Sequence, residues 1–108
     1  MYARVTSLAL KKGKAEEAVR IYETSVLPAA KAQKGYRGSY VLADREADKG
    51  LVLTFWESMN AAAANEENRY YQEQLIKVMH LFAEPPIREG YEVVVDSRRE
   101  LAAKRKSR

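Results

Sequence analysis

Residues Gly50 to Ser58 read Gly-Leu-Val-Leu-Thr-Phe-Trp-Glu-Ser, and no other stretch constrains the fold as tightly. A strand with one wet face alternates apolar and polar side chains. Here Leu51, Leu53 and Phe55 point one way and Val52, Thr54 and Trp56 the other, so both faces need cover. A chain of 108 residues makes one domain with a single core. Its own helices can supply one cover; the other is expected from a partner.

The neighbouring segments supply the rest of a pattern. Tyr2 to Leu10 reads as a strand, followed by a turn at Lys11-Lys12-Gly13. From Lys14 to about Ala32 the apolar residues Ala15, Val19, Tyr22 and Val26 recur every three or four positions, which predicts a helix. Pro28, lacking an amide hydrogen, is predicted to end or kink it near Val26–Leu27, and Lys34-Gly35 to close the segment. Tyr36 to Arg45 reads as a second strand, with Asp48-Lys49-Gly50 as a hairpin loop into the third. Ser58 is placed to cap a short helix through Ala61–Ala64. The Asn65-Glu-Glu-Asn68 cluster is predicted to interrupt that helix, and Asn68 to cap the next. Arg69 to Phe82 repeats the stripe with Tyr71, Leu75, Val78 and Phe82 until Pro85-Pro86 forbids continuation. Arg88 to Asp96 reads as the last strand.

The order β-α-β-β-α-β predicts an α+β, ferredoxin-like split βαβ fold: a four-stranded antiparallel sheet with its helices on one face. The bare face carrying Leu51, Leu53 and Phe55 then predicts a homodimer, two sheets packed face to face into a dimeric α+β barrel with these three residues in the interface.

Composition narrows the function. Hydrophobic residues make up 46% and charged residues 31%, the balance of a soluble globular protein. With no cysteine there is neither a disulfide framework nor a thiolate metal site. No stretch reaches the ~18 apolar residues of a membrane span, and the first residues read as a strand containing Arg4, so a cytoplasmic protein without membrane contact is expected. The net charge of +4 is concentrated at one end. Residues 97–108 hold six basic residues and one acidic one, whereas residues 1–96 hold 13 basic and 14 acidic ones. The expected organisation is a domain at 1–96 and a solvated basic tail at 97–108, without a basic binding surface on the fold.

Several marks resemble the antibiotic biosynthesis monooxygenase family of dimeric α+β barrels. They are Lys-Lys-Gly13-Lys after the first strand, Ser-Val-Leu-Pro28 in the helix, Gly35-Tyr-Arg-Gly38, Asp44-Arg-Glu46, and above all Leu-Thr-Phe-Trp56-Glu-Ser58 leading into a helix. The resemblance implies a pocket between sheet and helices. It also implies one of three roles: cofactor-free oxygenation of an aromatic quinol- or anthrone-like substrate, haem degradation, or a non-catalytic ligand-binding or stress-associated barrel. The haem-degrading branch relies on an asparagine, a second tryptophan and a histidine. Counted from Gly13 and Trp56, these fall on Thr6, Asn65 and Leu75, and leucine cannot ligate iron, so haem degradation is disfavoured. Two readings remain: a cofactor-independent monooxygenase needing O₂, a small aromatic molecule and no metal, and, as its rival, a non-catalytic ligand-binding or stress-associated barrel. Arg4, Thr6, Tyr22, Trp56, Tyr71 and Leu75 are the candidate pocket, with the catalytic groups unassigned.

Each candidate also has a plainer role. Trp56 suits a core anchor as well as a pocket wall. The hydroxyls of Tyr22 and Tyr71, on buried stripes, need partners, either backbone or a cavity occupant. Tyr70 precedes its stripe and is expected outside. His80, the only histidine, fits a helix-end dipole contact better than a general base, and a lone histidine makes a poor metal site. Glu16–Glu17 and Glu66–Glu67 are expected at helix starts. Finally, Lys49-Gly50 on a third strand mimics an RNA-recognition signature, but the stacking positions are Leu51 and Leu53, which offer no π face. Nucleic acid is not an expected partner.

Overall fold

In the computed structural model, which describes residues 1–67 and 69–98, the chain forms the four-stranded sheet with helices packed against one side. The strands are β1 (Tyr2–Ala9), β2 (Tyr36–Asp44), β3 (Lys49–Trp56) and β4 (Ile87–Glu92). Their order is β2-β3-β1-β4, antiparallel throughout, the ferredoxin-like α+β arrangement. The helices are α1 (Ala15–Ile21), α2 (Leu27–Lys31), α3 (Met59–Glu67) and α4 (Tyr70–Val78). No helix of the described residues is long and apolar enough to cross a membrane.

Pro28 does not stop the first helix. A π-helical turn over Tyr22–Val26 precedes it, in which the Leu27 amide donates to the Tyr22 carbonyl, and the helix resumes as α2 with Pro28 in its first turn. Proline is harmless there, because first-turn amides have no helical acceptor. Asn65 does not interrupt α3 either. It is buried, its side-chain amide folds back onto the Ala62 carbonyl, and the helix runs on to Glu67. The break comes at Arg69, in the left-handed region at φ 72°. The expected cap at Asn68 lies outside the described residues. Ser58 does cap α3, its hydroxyl accepting from the Ala61 amide at 3.0 Å.

β4 is shorter than its apolar pattern suggests. It pairs with β1 alone, and β1 begins at Tyr2, so the ladder gives out after Glu92 apart from a single bond from the Val93 amide to the Met1 carbonyl. The chain then leans over the outer sheet face until Arg98 donates to the Tyr40 hydroxyl at 3.1 Å, on the opposite edge strand. Of the expected tail, residues 99–108 lie outside the described residues.

Registers fix the two faces. Tyr2, Arg4, Thr6 and Leu8 of β1 stand opposite Trp56, Thr54, Val52 and Gly50 of β3, and this row lies beneath the helices. Trp56, only 2% exposed, anchors it. The alternate row pairs Ala3 with Phe55, Val5 with Leu53 and Ser7 with Leu51. It continues onto β2 through Tyr40, whose ring meets Phe55 edge-on at 6.1 Å. Among the described residues no helix covers this outer row: Leu51, Leu42, Tyr40 and Tyr91 are 37, 49, 48 and 53% exposed.

One irregularity changes what the inner face carries. A bulge between Tyr36 and Gly38 shifts the β2–β3 register by a residue. Even-numbered Tyr40 faces outward, and an unbroken strand would send Tyr36 the same way. The bulge turns it inward instead, edge-on against Trp56 at 6.0 Å. Gly38 makes this possible at φ 132°, a conformation that side chains strongly disfavour. Gly38→Ala is therefore expected to destabilise the fold by roughly 1–3 kcal/mol in urea denaturation, although open space surrounds the position. A neutral substitution would show that the bulge is not under conformational constraint.

Candidate functional site

Between the helices and the inner sheet face lies a cavity of about 150 Å³. Its wall is mostly apolar, with Val19 and Val26 on one side, Val52 below, and Leu75 and Val78 on the other. The structure places Arg4, Thr6, Tyr22, Trp56, Tyr71 and Leu75 around this one space. Trp56 is both core anchor and wall.

At the β2 end the polar groups are hydroxyls. The Tyr22 hydroxyl donates to Ser39 Oγ at 3.1 Å, and Ser39 Oγ lies 2.9 Å from the Tyr36 hydroxyl. Thr54 also hydrogen-bonds Tyr22. Tyr70 faces the same cavity, contrary to the expectation that it lies outside. The left-handed turn at Arg69 starts α4 so that Tyr70 and Gln74, four residues apart, form a second inward row beside Tyr71 and Leu75. Burial pushes the Tyr22 phenol above its ordinary 10.0, partly offset by the hydrogen bond with Ser39. Burial raises Tyr70 further still, with the nearby Tyr22 and Tyr36 phenols adding to the shift. At neutral pH both are therefore protonated hydrogen-bond donors, not phenolate bases.

At the β4 end the polar groups are charged. Arg4 clasps Glu66 with two nitrogens, Nε at 2.8 Å from Oε2 and Nη2 donating to Oε1 at 3.3 Å. Arg88 approaches the same carboxylate at 3.4 Å, and its guanidinium stacks 3.7 Å above the Tyr71 ring. Gly90, opposite Arg4 in the ladder, leaves room for this: a Cβ there would overlap the Tyr2 hydroxyl and the Arg4 guanidinium. Glu66 and Glu67 thus close α3 instead of opening a helix. Glu16 and Glu17 do stand in the first turn of α1. His80 is exposed, 3.7 Å from Glu17, and takes no part in the cavity wall. Among the described residues no group of three or more His, Cys, Asp and Glu could hold a metal ion.

Sequence reasoning missed Tyr70, Glu66 and Arg88 as neighbours of the cavity, and Ser39 and Tyr36 as the hydroxyl chain behind Tyr22. The four-residue spacing of Tyr70 and Gln74 carried a signal for one of them. The bulge that re-aims Tyr36 left only the glycines of Gly35-Tyr-Arg-Gly38 as a trace.

The raised tyrosines set an alkaline limit. In the unfolded chain these phenols ionise near pH 10, while in the fold they resist ionisation. Their contribution is complete below pH 10 and is lost as the pH rises above it, because the unfolded state then releases protons that the folded state keeps. Unfolding free energy measured by urea titration from pH 8 to 11 is expected to fall above pH 10, and less steeply in Tyr70→Phe. An identical slope in the variant would refute the assignment.

The sequence of residues 1–74 matches the family model described as antibiotic biosynthesis monooxygenase. No curated protein matches the chain. Among solved structures, SnoaB, a cofactor-independent oxygenase from Streptomyces nogalater, superposes with a TM-score of 0.75 at 10% identity, over 89% of this chain and 95% of that one. A Nitrosomonas europaea protein of unknown function gives 0.68 at 22% identity, over 89% and 91%. A conserved protein from Methanosarcina mazei gives 0.71 at 14%, over 85% and 92%. At such identities these likenesses speak for the fold, while the sequence match covers more than half of the chain. The chain belongs to the antibiotic biosynthesis monooxygenase family.

Proposed function

We propose that this protein is a cofactor-independent monooxygenase of a small aromatic quinol-like substrate. The observation that carries the reading is the cavity, an apolar space with hydroxyl donors converging at one end. An apolar cavity of comparable volume is known to admit benzene, so the space fits a single aromatic ring better than a fused tricycle such as an anthrone. Membership of the family and a fold shared with a cofactor-independent oxygenase support the same reading.

The chemistry asks little of the protein. An electron-rich phenol loses its proton, and the resulting carbanion passes one electron to O₂. The radical pair recombines as a ring hydroperoxide, which eliminates water to leave a carbonyl. One oxygen atom enters the product, the other leaves as water, and the ring supplies all the electrons, so no external reductant is consumed. Tyr70, protonated and partly buried, would stabilise the phenolate oxygen by donating to it, and Tyr22 would do so by turning its single hydroxyl proton from Ser39 to the substrate. Trp56, Val52 and Leu75 would hold the ring and exclude water. With a substituted hydroquinone, O₂ uptake is expected without added flavin or metal. Tyr22→Phe and Tyr70→Phe should each slow it by at least ~10-fold, about 1.4 kcal/mol of transition-state stabilisation, while leaving the fold intact. Binding without O₂ uptake across a quinol panel would leave a non-catalytic ligand-binding barrel instead.

The active unit in this reading is a homodimer packed through the outer sheet face, with Leu51, Leu53 and Phe55 in the interface. The support is the uncovered row of apolar side chains, of a kind that monomers rarely expose over a wide area. Light scattering at micromolar concentration should give a dimer, and Leu53→Glu should dissociate or aggregate it. A wild-type monomer would overturn this.

A further inference from the structure

The cation at the β4 end of the cavity has no assigned task. Arg4 already spans Glu66 with two nitrogens, so that carboxylate has its counter-ion. Arg88 is the surplus charge: two guanidiniums and one carboxylate leave the cluster at +1. Its position is fixed from two sides, by the Tyr71 ring beneath it and by Glu66 at 3.4 Å. Yet beyond that long ion pair its guanidinium makes no hydrogen bond to any described residue, and its side chain is only 26% exposed. A guanidinium offers five donors. One that is held in place, largely withdrawn from water and with most of its donors unengaged by the described residues is built to receive an anion.

The surroundings specify which anion. The rest of the cavity wall is mostly apolar and the space suits one ring. At the opposite end Tyr22 and Tyr70 line the cavity, and the Tyr22 hydroxyl is tied to Ser39 and through it to Tyr36 of β2. A ligand that satisfies both ends carries a hydroxyl on one side of its ring and a single negative charge on the other. We propose that the occupant is a single-ring hydroxyaromatic carboxylic acid, its carboxylate bound by Arg88 and its phenol by the tyrosine hydroxyls. A planar carboxylate matches the planar guanidinium fork, and its single charge matches the surplus of one. The inference rests on the cavity being the ligand site, but not on turnover.

The test compares 4-hydroxybenzoate with its methyl ester, the same ring without the charge, by calorimetry and ligand-observed NMR. The acid should bind about 10- to 100-fold more tightly, the range of a charge-assisted hydrogen bond. In Arg88→Gln the ratio should collapse towards one, chiefly through loss of the acid's affinity, and in Arg88→Lys part of it should return. If Arg88→Gln fails to fold, the acid-to-ester ratio of the unmodified protein still decides. A ratio near one, or a ratio that survives Arg88→Gln, overturns the proposal. Failure of both compounds to bind overturns it together with the ligand role of the cavity. Tighter binding of the acid without any O₂ uptake upholds the anion site and removes only the oxygenase reading.

Discussion

The pairing of β1 with β3, from Tyr2 opposite Trp56 to Ala9 opposite Lys49, decides which side chains meet in the cavity and which meet solvent. Side chains alternate strictly along a strand, so a slip of one residue would exchange the two faces of the strand that slipped. If β3 slipped, Thr54 and Trp56 would face outward, and Leu53 and Phe55 would fill the space beneath the helices. What prevents the slip is volume. The inner row of β1 and β3 is polar or spacious at Arg4, Thr6 and Gly50, and tolerates a cavity. The outer row is compact and apolar, and suits contact with a flat apolar surface. The cavity is thus a product of register before it is a product of any single residue.

That cavity is polarised. One end holds neutral hydroxyls whose burial keeps them protonated; the other holds an ion cluster with a net positive charge. Between them the wall is mostly apolar. Donors dominate at both ends, while the one carboxylate, Glu66, is engaged by two arginines. A site of this kind stabilises developing negative charge and is poorly equipped to abstract a proton. This agrees with chemistry in which the substrate's own acidity and O₂ do the work.

How much of this was legible in the sequence follows from the range of each interaction. The β-α-β-β-α-β order and the two-faced third strand could be read directly, because hydrophobic periodicity is local. Arg4, Thr6, Tyr22 and Trp56 could be placed on one side for the same reason. Boundaries set by long-range partners could not. The end of β4 depends on where β1 begins. Arg88 looked like an ordinary strand residue, since its meaning lies in Glu66 and Tyr71, 22 and 17 positions earlier. The charge cluster was hidden because nothing local in the sequence announces it.

The bulge at the start of β2 behaves as a phase shift in an alternating code. Beyond it, Ser39 and Tyr40 are read on opposite faces as alternation requires; before it, Tyr36 is read one step out of phase. The approach to a strand is ordinarily a place where chain length varies at little cost. Here, straightening the bulge with its extra residue retained would leave sheet, helices and outer face as they are, yet turn Tyr36 away from Trp56 and separate Ser39 from its second partner, whereas loss of Arg37 would give a regular ladder with Tyr36 still opposite Trp56. A change of chain length, usually a means of reshaping loops, would in this protein decide by its parity which side of the sheet an aromatic hydroxyl serves.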